Sequence, residues 1–217
     1  MSPPRRVLLV RHAQSEGNAS GRWQGQQGVG LTPHGRAQAE ALADRLAALP
    51  EAVLVRSDLQ RVAETAAPTL ARTGWQAHVD ARWRELDVGS WTGRAVEEVR
   101  RAEPERFAAF REGRGPAGGD GESLPALRAR VGAAAAEGLA IRPQATLVIV
   151  THGWALRAAV AELTHAGEGA ERSRFHGVGN AAVCALCGAT PPLAIEAYDD
   201  QSHLPSELRS GRQRISA

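Results

Sequence analysis

Three short runs, RVLLV at 6–10, AVLV at 52–55 and TLVIV at 146–150, are apolar almost without interruption. A strand with one face in water alternates polar and apolar residues, so continuous runs need burial on both faces, as in a parallel sheet between helical layers. What separates the runs agrees. LTPHGRAQAEALADRLAAL, starting at Leu31, places Thr32 as N-cap and Pro33 at the first helical position, with Ala39, Leu42 and Leu46 on one face. LQRVAETAAPTLARTG, starting at Leu59, reads as a second helix closed by Gly74, and QAHVDARW, starting at Gln76, as a third strand. Strand and helix in alternation predict the α/β class: a three-layer α/β/α sandwich on a mostly parallel central sheet, with right-handed crossovers.

The middle of the chain breaks this rhythm. From Trp91 to about Arg114 the sequence is polar with a helical pattern, and EGRGPAGGDGES then holds too much glycine for a regular element. Residues of about 91–123 are therefore expected to form a small cap over the carboxyl ends of the strands. Ser123 should cap the next helix, LPALRARVGAAAAEGLA, with Pro125 in its first turn. AAVCALCG and PLAIEAYD read as a hairpin closing around Pro191-Pro192, and about 203–217 as a loose tail. A single domain over 1–217 accounts for the chain, and no internal repeat is visible.

Composition narrows the partners. A net charge of +2 offers no electrostatic footprint for nucleic acid or an anionic membrane surface. No apolar run approaches the roughly 20 residues that span a bilayer, and the opening MSPPRR lacks a signal-peptide core. Cys184 and Cys187 are the only cysteines; they read as reduced thiols, and the chain as cytoplasmic. Their C-x-x-C spacing sits in a predicted strand, where residues three apart face opposite sides, and no second ligand pair exists for zinc. All 26 basic residues are arginine, so an arginine acquires meaning only from its neighbours. Dimerisation through an edge strand or a cap helix is left open.

The neighbours of four residues give them meaning. Val10-Arg11-His12, Val55-Arg56-Ser57-Asp58 leading to Arg61, and Val150-Thr151-His152-Gly153 all end predicted strands. In a parallel sheet those carboxyl ends share one edge, where ligands bind. Arg11, His12, Arg61 and His152 can therefore converge, and clustered cations are costly unless an anion lies between them. A guanidinium fork matches phosphate oxygens.

LLVRHAQSEGN, RSDLQRVAETA, RELDVGSWTG and VTHGWALRA resemble, in order and spacing, the four signature blocks of the histidine phosphatase superfamily, the phosphoglycerate-mutase-like proteins. The resemblance covers roughly residues 6 to 188, and the group most similar in overall pattern is that of compact glucosyl-3-phosphoglycerate phosphatases. It implies a metal-independent phosphatase with no cofactor, acting on a small phosphate ester such as a sugar phosphate or a phosphoglycerate derivative. His12 would be the nucleophile, forming a phosphohistidine that water then hydrolyses. Arg11, Arg61 and His152 would hold the phosphoryl oxygens as charge develops. Glu85 matches the proton-donor position; a phosphate dianion beside it and partial burial would help it keep a proton. Asp87, two residues on, is its rival, and a strand would point both the same way.

Among phosphatase-type members, the positions of Asn18 and Gln24 contact the phosphate and the substrate. Ser15 lies in the same loop and either binds substrate or caps local backbone. This chain departs from the pattern at Ala13, where glycine is usual, at Thr92, where an acidic residue is frequent, and at Trp154, where smaller residues are common. Trp154 would wall the pocket or pack under the cap. Two other functions remain: a phosphoglycerate mutase, and a non-catalytic phosphate-binding module. The family's cofactor-dependent mutases carry a longer, lysine-containing insertion after the glutamate, which this lysine-free chain lacks. A pseudoenzyme usually loses the nucleophile or the acid, and both are present here.

Overall fold

The computed structural model describes residues 5–167 and 169–210. Strand β1 (Arg5–Arg11) leads through a short helix α1 (Glu16–Ala19) to α2 (Pro33–Ala47) and β2 (Ala52–Arg56). α3 (Gln60–Thr73) and β3 (Ala77–Val79) follow, then the cap helices α4 (Val96–Ala102) and α5 (Pro104–Arg111). The chain returns as α6 (Leu124–Ile141), β4 (Thr146–Thr151), α7 (Gly153–Leu163), α8 (Ala170–Ser173), β5 (Val183–Gly188) and β6 (Ala194–Asp200).

The sheet order is β3-β2-β4-β1-β5-β6. β1, β2, β3 and β4 run parallel, and the hairpin β5–β6 adds two antiparallel strands at one edge. Alternate residues of the strands feed two cores, as the continuous apolar runs required. Leu9, Val55, Leu147 and Ile149 pack with α6, α7 and the cap; Leu8, Val10, Leu54 and Val150 pack with Leu42 and Leu46 of α2 and Val62 of α3. The three-layer expectation holds.

The helix ends follow their sequence signals. Thr32 Oγ1 accepts from Gly35 N–H at 2.9 Å, Ser123 Oγ accepts from Ala126 N–H, and Gly74 ends α3 in the left-handed conformation. In the cap, Pro104 forces its predecessor out of the helical region, so one polar stretch becomes two helices meeting at Glu103 (φ −133°, ψ 55°). Gly118, at φ +64°, lies so close to the Val88 carbonyl that a side chain would collide with it.

Two details differ from expectation. The third strand stops at Val79, because Asp80 Oδ1 accepts the Arg82 N–H (2.8 Å) and starts a 3₁₀ turn that buries Trp83 completely. The expected loose tail from 203 is anchored within its described part, although residues 205–207 and 209 are exposed. Leu204 is buried beside Ala13, Leu31 and Ala181, and Gln38 Nε2 donates to Leu208 O at 2.7 Å. Residues 211–217 of that tail lie outside the described residues. Cys184 and Cys187 are unbridged, one buried and one partly exposed, on opposite faces of β5.

Candidate active site

β1 and β4 are neighbours, with Arg11 opposite Thr151, and β2 flanks β4 on its other side. The chain therefore delivers His12, His152 and, in the first turn of α3, Arg61 to a single point. The rings of His12 and His152 lie 5.2 Å apart, edge to face, and Arg61 Nε donates to His152 Nδ1 at 3.2 Å. A cavity of about 290 Å³ opens here, lined by Arg11, His12, Asn18, Gln24, Arg61 and Glu85, among others.

The protonation of His12 follows from its partner. Its Nδ1 is 2.7 Å from Ala13 O, and a carbonyl can only accept, so Nδ1 carries the proton and Nε2 keeps a lone pair. Burial, and then the charges of Arg61 and Arg11, hold its proton affinity well below that of a free imidazole. His12 is thus a neutral nucleophile of defined tautomer. Ala13 is accommodated: its backbone is not left-handed, and its N–H donates to Thr65 Oγ1 at 3.0 Å.

The arginines are fixed by backbone. Arg11 Nη1 donates to Val178 O; Arg61 Nη1 and Nη2 donate to Gln27 O and Gly25 O, each at 2.8 Å. Burial lowers both guanidiniums, Arg61 to about 10; a guanidinium is basic enough to keep its charge in a protein at neutral pH. The Nε of Arg11 has no partner among the described residues. A Cβ at Gly153 would lie in ordinary van der Waals contact, 3.6 Å, with both that Nε and Glu85 Oε2, which places the two side chains on either side of Gly153.

Glu85 sits over the N-terminus of α7. Its Oε1 accepts from the N–H groups of Leu86 (3.0 Å), Trp154 (3.0 Å) and Ala155 (3.2 Å), while Oε2 has only a 3.2 Å contact with Trp154 N–H. Oε2 is therefore the oxygen free to carry a transferable proton. Asp87 is exposed and turns away, its Oδ1 accepting from Gly89 N–H. These residues occupy a loop, so the two carboxylates do not share a side.

A histidine flanked by two buried arginines and a carboxylate at the edge of a parallel sheet is the geometry that a family comparison can test. A family model described as the histidine phosphatase superfamily (branch 1) matches residues 7–200. The chain belongs to this superfamily, and it is a phosphatase of the hydrolase class. It is 35% identical to the glucosyl-3-phosphoglycerate phosphatase of Mycobacterium tuberculosis, over 87% of each chain. It is also 32% identical to a probable phosphoglycerate mutase GpmB of Citrobacter koseri, over 96% of this chain and 99% of that one. Its fold superposes on a mycobacterial glucosyl-3-phosphoglycerate phosphatase solved with VO3, with TM-score 0.82, 30% identity, and coverage of 91% of this chain and 100% of that one.

Within the superfamily site, several residues act at one remove. His152 is fully buried; Nδ1 accepts from Arg61, so Nε2 carries the proton and donates to Ser57 Oγ at 3.0 Å. For His152 to touch a phosphate, one of these bonds must exchange; as placed, it braces Arg61 and His12. Ser15 does not reach the cavity. It is fully buried, caps α1, and lies within hydrogen-bond distance of Asn18 Oδ1 (2.9 Å) and Gln24 Oε1 (3.0 Å). Because Asn18 Oδ1 also accepts from Ser15 N–H and Asn180 Nδ2, the amide nitrogen of Asn18 is left as its free donor. Trp154 does both things considered for it, lining the cavity and packing its ring against Phe110 under the cap.

Two site residues were missed from the sequence. Asn180 is buried after α8 and donates to His12 O and to Asn18 Oδ1, both at 3.1 Å, tying nucleophile to loop. Its GVGN stretch was visible, but nothing local said where it would land. Arg130 of α6 donates to Arg82 O, Arg84 O and Glu85 O at 2.8–2.9 Å and pairs with Glu122 of the cap. It clamps the backbone that aims Glu85. Arg130→Ala should lower kcat about 10- to 100-fold on an alkyl phosphate and less on p-nitrophenyl phosphate, whose leaving group needs no proton. Equal loss on both substrates would make Arg130 merely structural.

Proposed function

We propose that this phosphatase hydrolyses a small phosphorylated metabolite, a sugar phosphate or phosphoglycerate derivative, through a phosphohistidine on His12. The observation that carries this is the Nε2 lone pair of His12, set by the Ala13 carbonyl at the foot of a cavity whose cations are Arg11 and Arg61. In the first step Nε2 attacks phosphorus, the P–N bond forms and the P–O bond to the leaving oxygen breaks. Glu85 Oε2 passes its proton to that oxygen. In the second, water attacks phosphorus, Glu85 takes a water proton, and the P–N bond breaks to release phosphate and restore Nε2. Arg11, Arg61 and the Asn18 amide hold the oxygens throughout, Gln24 contacts the remainder of the substrate, and the fixed guanidiniums supply the charge a metal ion would otherwise bring.

A cavity of about 290 Å³ suits a metabolite and is too small for a protein loop. Among the described residues no helix is long and apolar enough to cross a membrane, and the thiol content supports a cytoplasmic enzyme. A panel of phosphorylated metabolites, scored by released phosphate with and without chelator, tests the reading; glucosyl-3-phosphoglycerate heads it because of the relatives' names. Release from at least one member, insensitive to chelator, is expected. Conversion of 3-phosphoglycerate to 2-phosphoglycerate without free phosphate would make the protein a mutase instead.

A further inference from the structure

The same cavity holds two arginines that phosphoryl transfer leaves unused: Arg22, exposed at the rim and donating to Gly93 O, and a buried one, Arg157. Arg157 is only 5% exposed and sits one turn along α7 from Trp154, so the two share a face. Its guanidinium carbon lies 3.6 Å from the centroid of the Trp154 ring. Its Nε makes one long contact, 3.4 Å, to Gly153 O, and its two terminal nitrogens bond to no described residue.

That is unlike the other inward-facing arginines of this chain. Arg130 is finished by three carbonyls and a carboxylate, Arg128 by Ala166 O, Gly167 O and Glu162, and Arg5, though its Nε is unpartnered, places both terminal nitrogens on Leu139 O and Gly138 O. A structural arginine completes its donor set on the protein; a buried cation that does not is costly until an anion arrives. Stacking on indole offsets part of that cost and holds the planar fork in place. The guanidinium is lowered to about 10, by burial first, and so stays charged at neutral pH. Arg111 and Arg11 repel it, and Glu85, a carboxylate that favours its charge, already accepts from the α7 backbone.

We propose that Arg157 is a second anion-binding residue of the cavity, taking a carboxylate on the same small molecule whose phosphate lies at His12. The preferred substrates are then phosphate monoesters that also bear a carboxylate, with Trp154 as the flat wall behind it. This deepens the phosphatase reading and rests on it.

The test uses the full chain and a matched pair, 3-phosphoglycerate and glycerol 3-phosphate, which differ in a carboxylate against a hydroxymethyl group. Each is measured as a competitor of p-nitrophenyl phosphate hydrolysis. The wild type should bind 3-phosphoglycerate about 10- to 100-fold more tightly, the range of a charged hydrogen-bonded pair. Arg157→Met should shrink that ratio to about 3-fold or less, and Arg157→Lys should retain part of it. No preference in the wild type, or a ratio that survives Arg157→Met, overturns the proposal. If Arg157→Met does not fold, Arg157→Lys decides, because an undiminished ratio there also overturns it. Failure of the phosphatase reading looks different: the wild type then hydrolyses no phosphate ester, and calorimetric titration of the same two compounds still reads the preference.

Discussion

His12→Ala is expected to lower phosphate release by about 10⁴-fold or more, while the circular dichroism spectrum stays that of the wild type. The size follows from removing the atom that attacks phosphorus: what remains is a cavity that binds and polarises the ester without a nucleophile, and about 10⁴-fold corresponds to about 5 kcal/mol of barrier. Folding should survive, because the hydrogen bonds of this segment run through its backbone. His12 N–H donates to Thr151 O, and His12 O accepts from Ala181 N–H and Asn180 Nδ2. Rapid quenching of the wild type in alkali should trap a phosphoenzyme that the variant does not form. Above about a tenth of wild-type activity in His12→Ala, the covalent route is wrong. The wild type carries a linked expectation in pH. Burial lowers the His12 pKa, so the imidazole is neutral above that lowered value. The acid limb of kcat/KM should therefore show no inflection from this group near 6.5, and one there that vanished with His12 would contradict the structure.

How much of this site could be read beforehand depends on whether a residue's position is set by local rules. His12, Arg11, His152 and Arg61 were legible because each ends or closely follows an apolar run, and parallel strands bring such ends to one edge whatever the loops do. Glu85 was legible only through its resemblance block. The block also preferred it to Asp87, whereas spacing did not; the geometric reason, Asp87 turned away to Gly89 N–H while Glu85 meets the α7 terminus, lies in the loop. Ser15 was left open between substrate and local backbone, and the fold takes the second: it is turned inward, where its hydroxyl serves Asn18 and Gln24.

Asn180 and Arg130 act across 168 and 45 residues of sequence respectively, through backbone carbonyls whose location only the folded chain defines. No pattern in an all-arginine basic set could distinguish Arg130 from its solvated neighbours. The tail was misjudged for a related reason. Its polarity is real, but Leu204 and Leu208 supply apolar anchors, and Gln38 finishes the backbone around them. Arg157 was the nearest miss. With Gly153 opening a helix, residues 154 and 157 must share a face, so an arginine stacked on Trp154 was readable from spacing once the tryptophan was assigned to the pocket.

Glu85→Gln should separate leaving groups. Glutamine keeps the shape, and its carbonyl oxygen can still accept from Leu86, Trp154 and Ala155, so the α7 terminus and the cavity wall should be undisturbed. What is lost is the proton on Oε2. An alkoxide cannot depart without one, and hydrolysis of an alkyl phosphate such as glycerol 3-phosphate should fall about 10²- to 10⁴-fold. p-Nitrophenolate is stable unprotonated, so its release should fall less than about 10-fold. The phosphoenzyme should still form from the aryl ester but persist longer, because the same carboxylate takes the proton of the attacking water in the second step. Equal slowing of both esters would remove Glu85 as the acid. It would leave its three backbone contacts as its whole role, that of a cap on α7 that keeps Trp154 and Arg157 in the cavity wall.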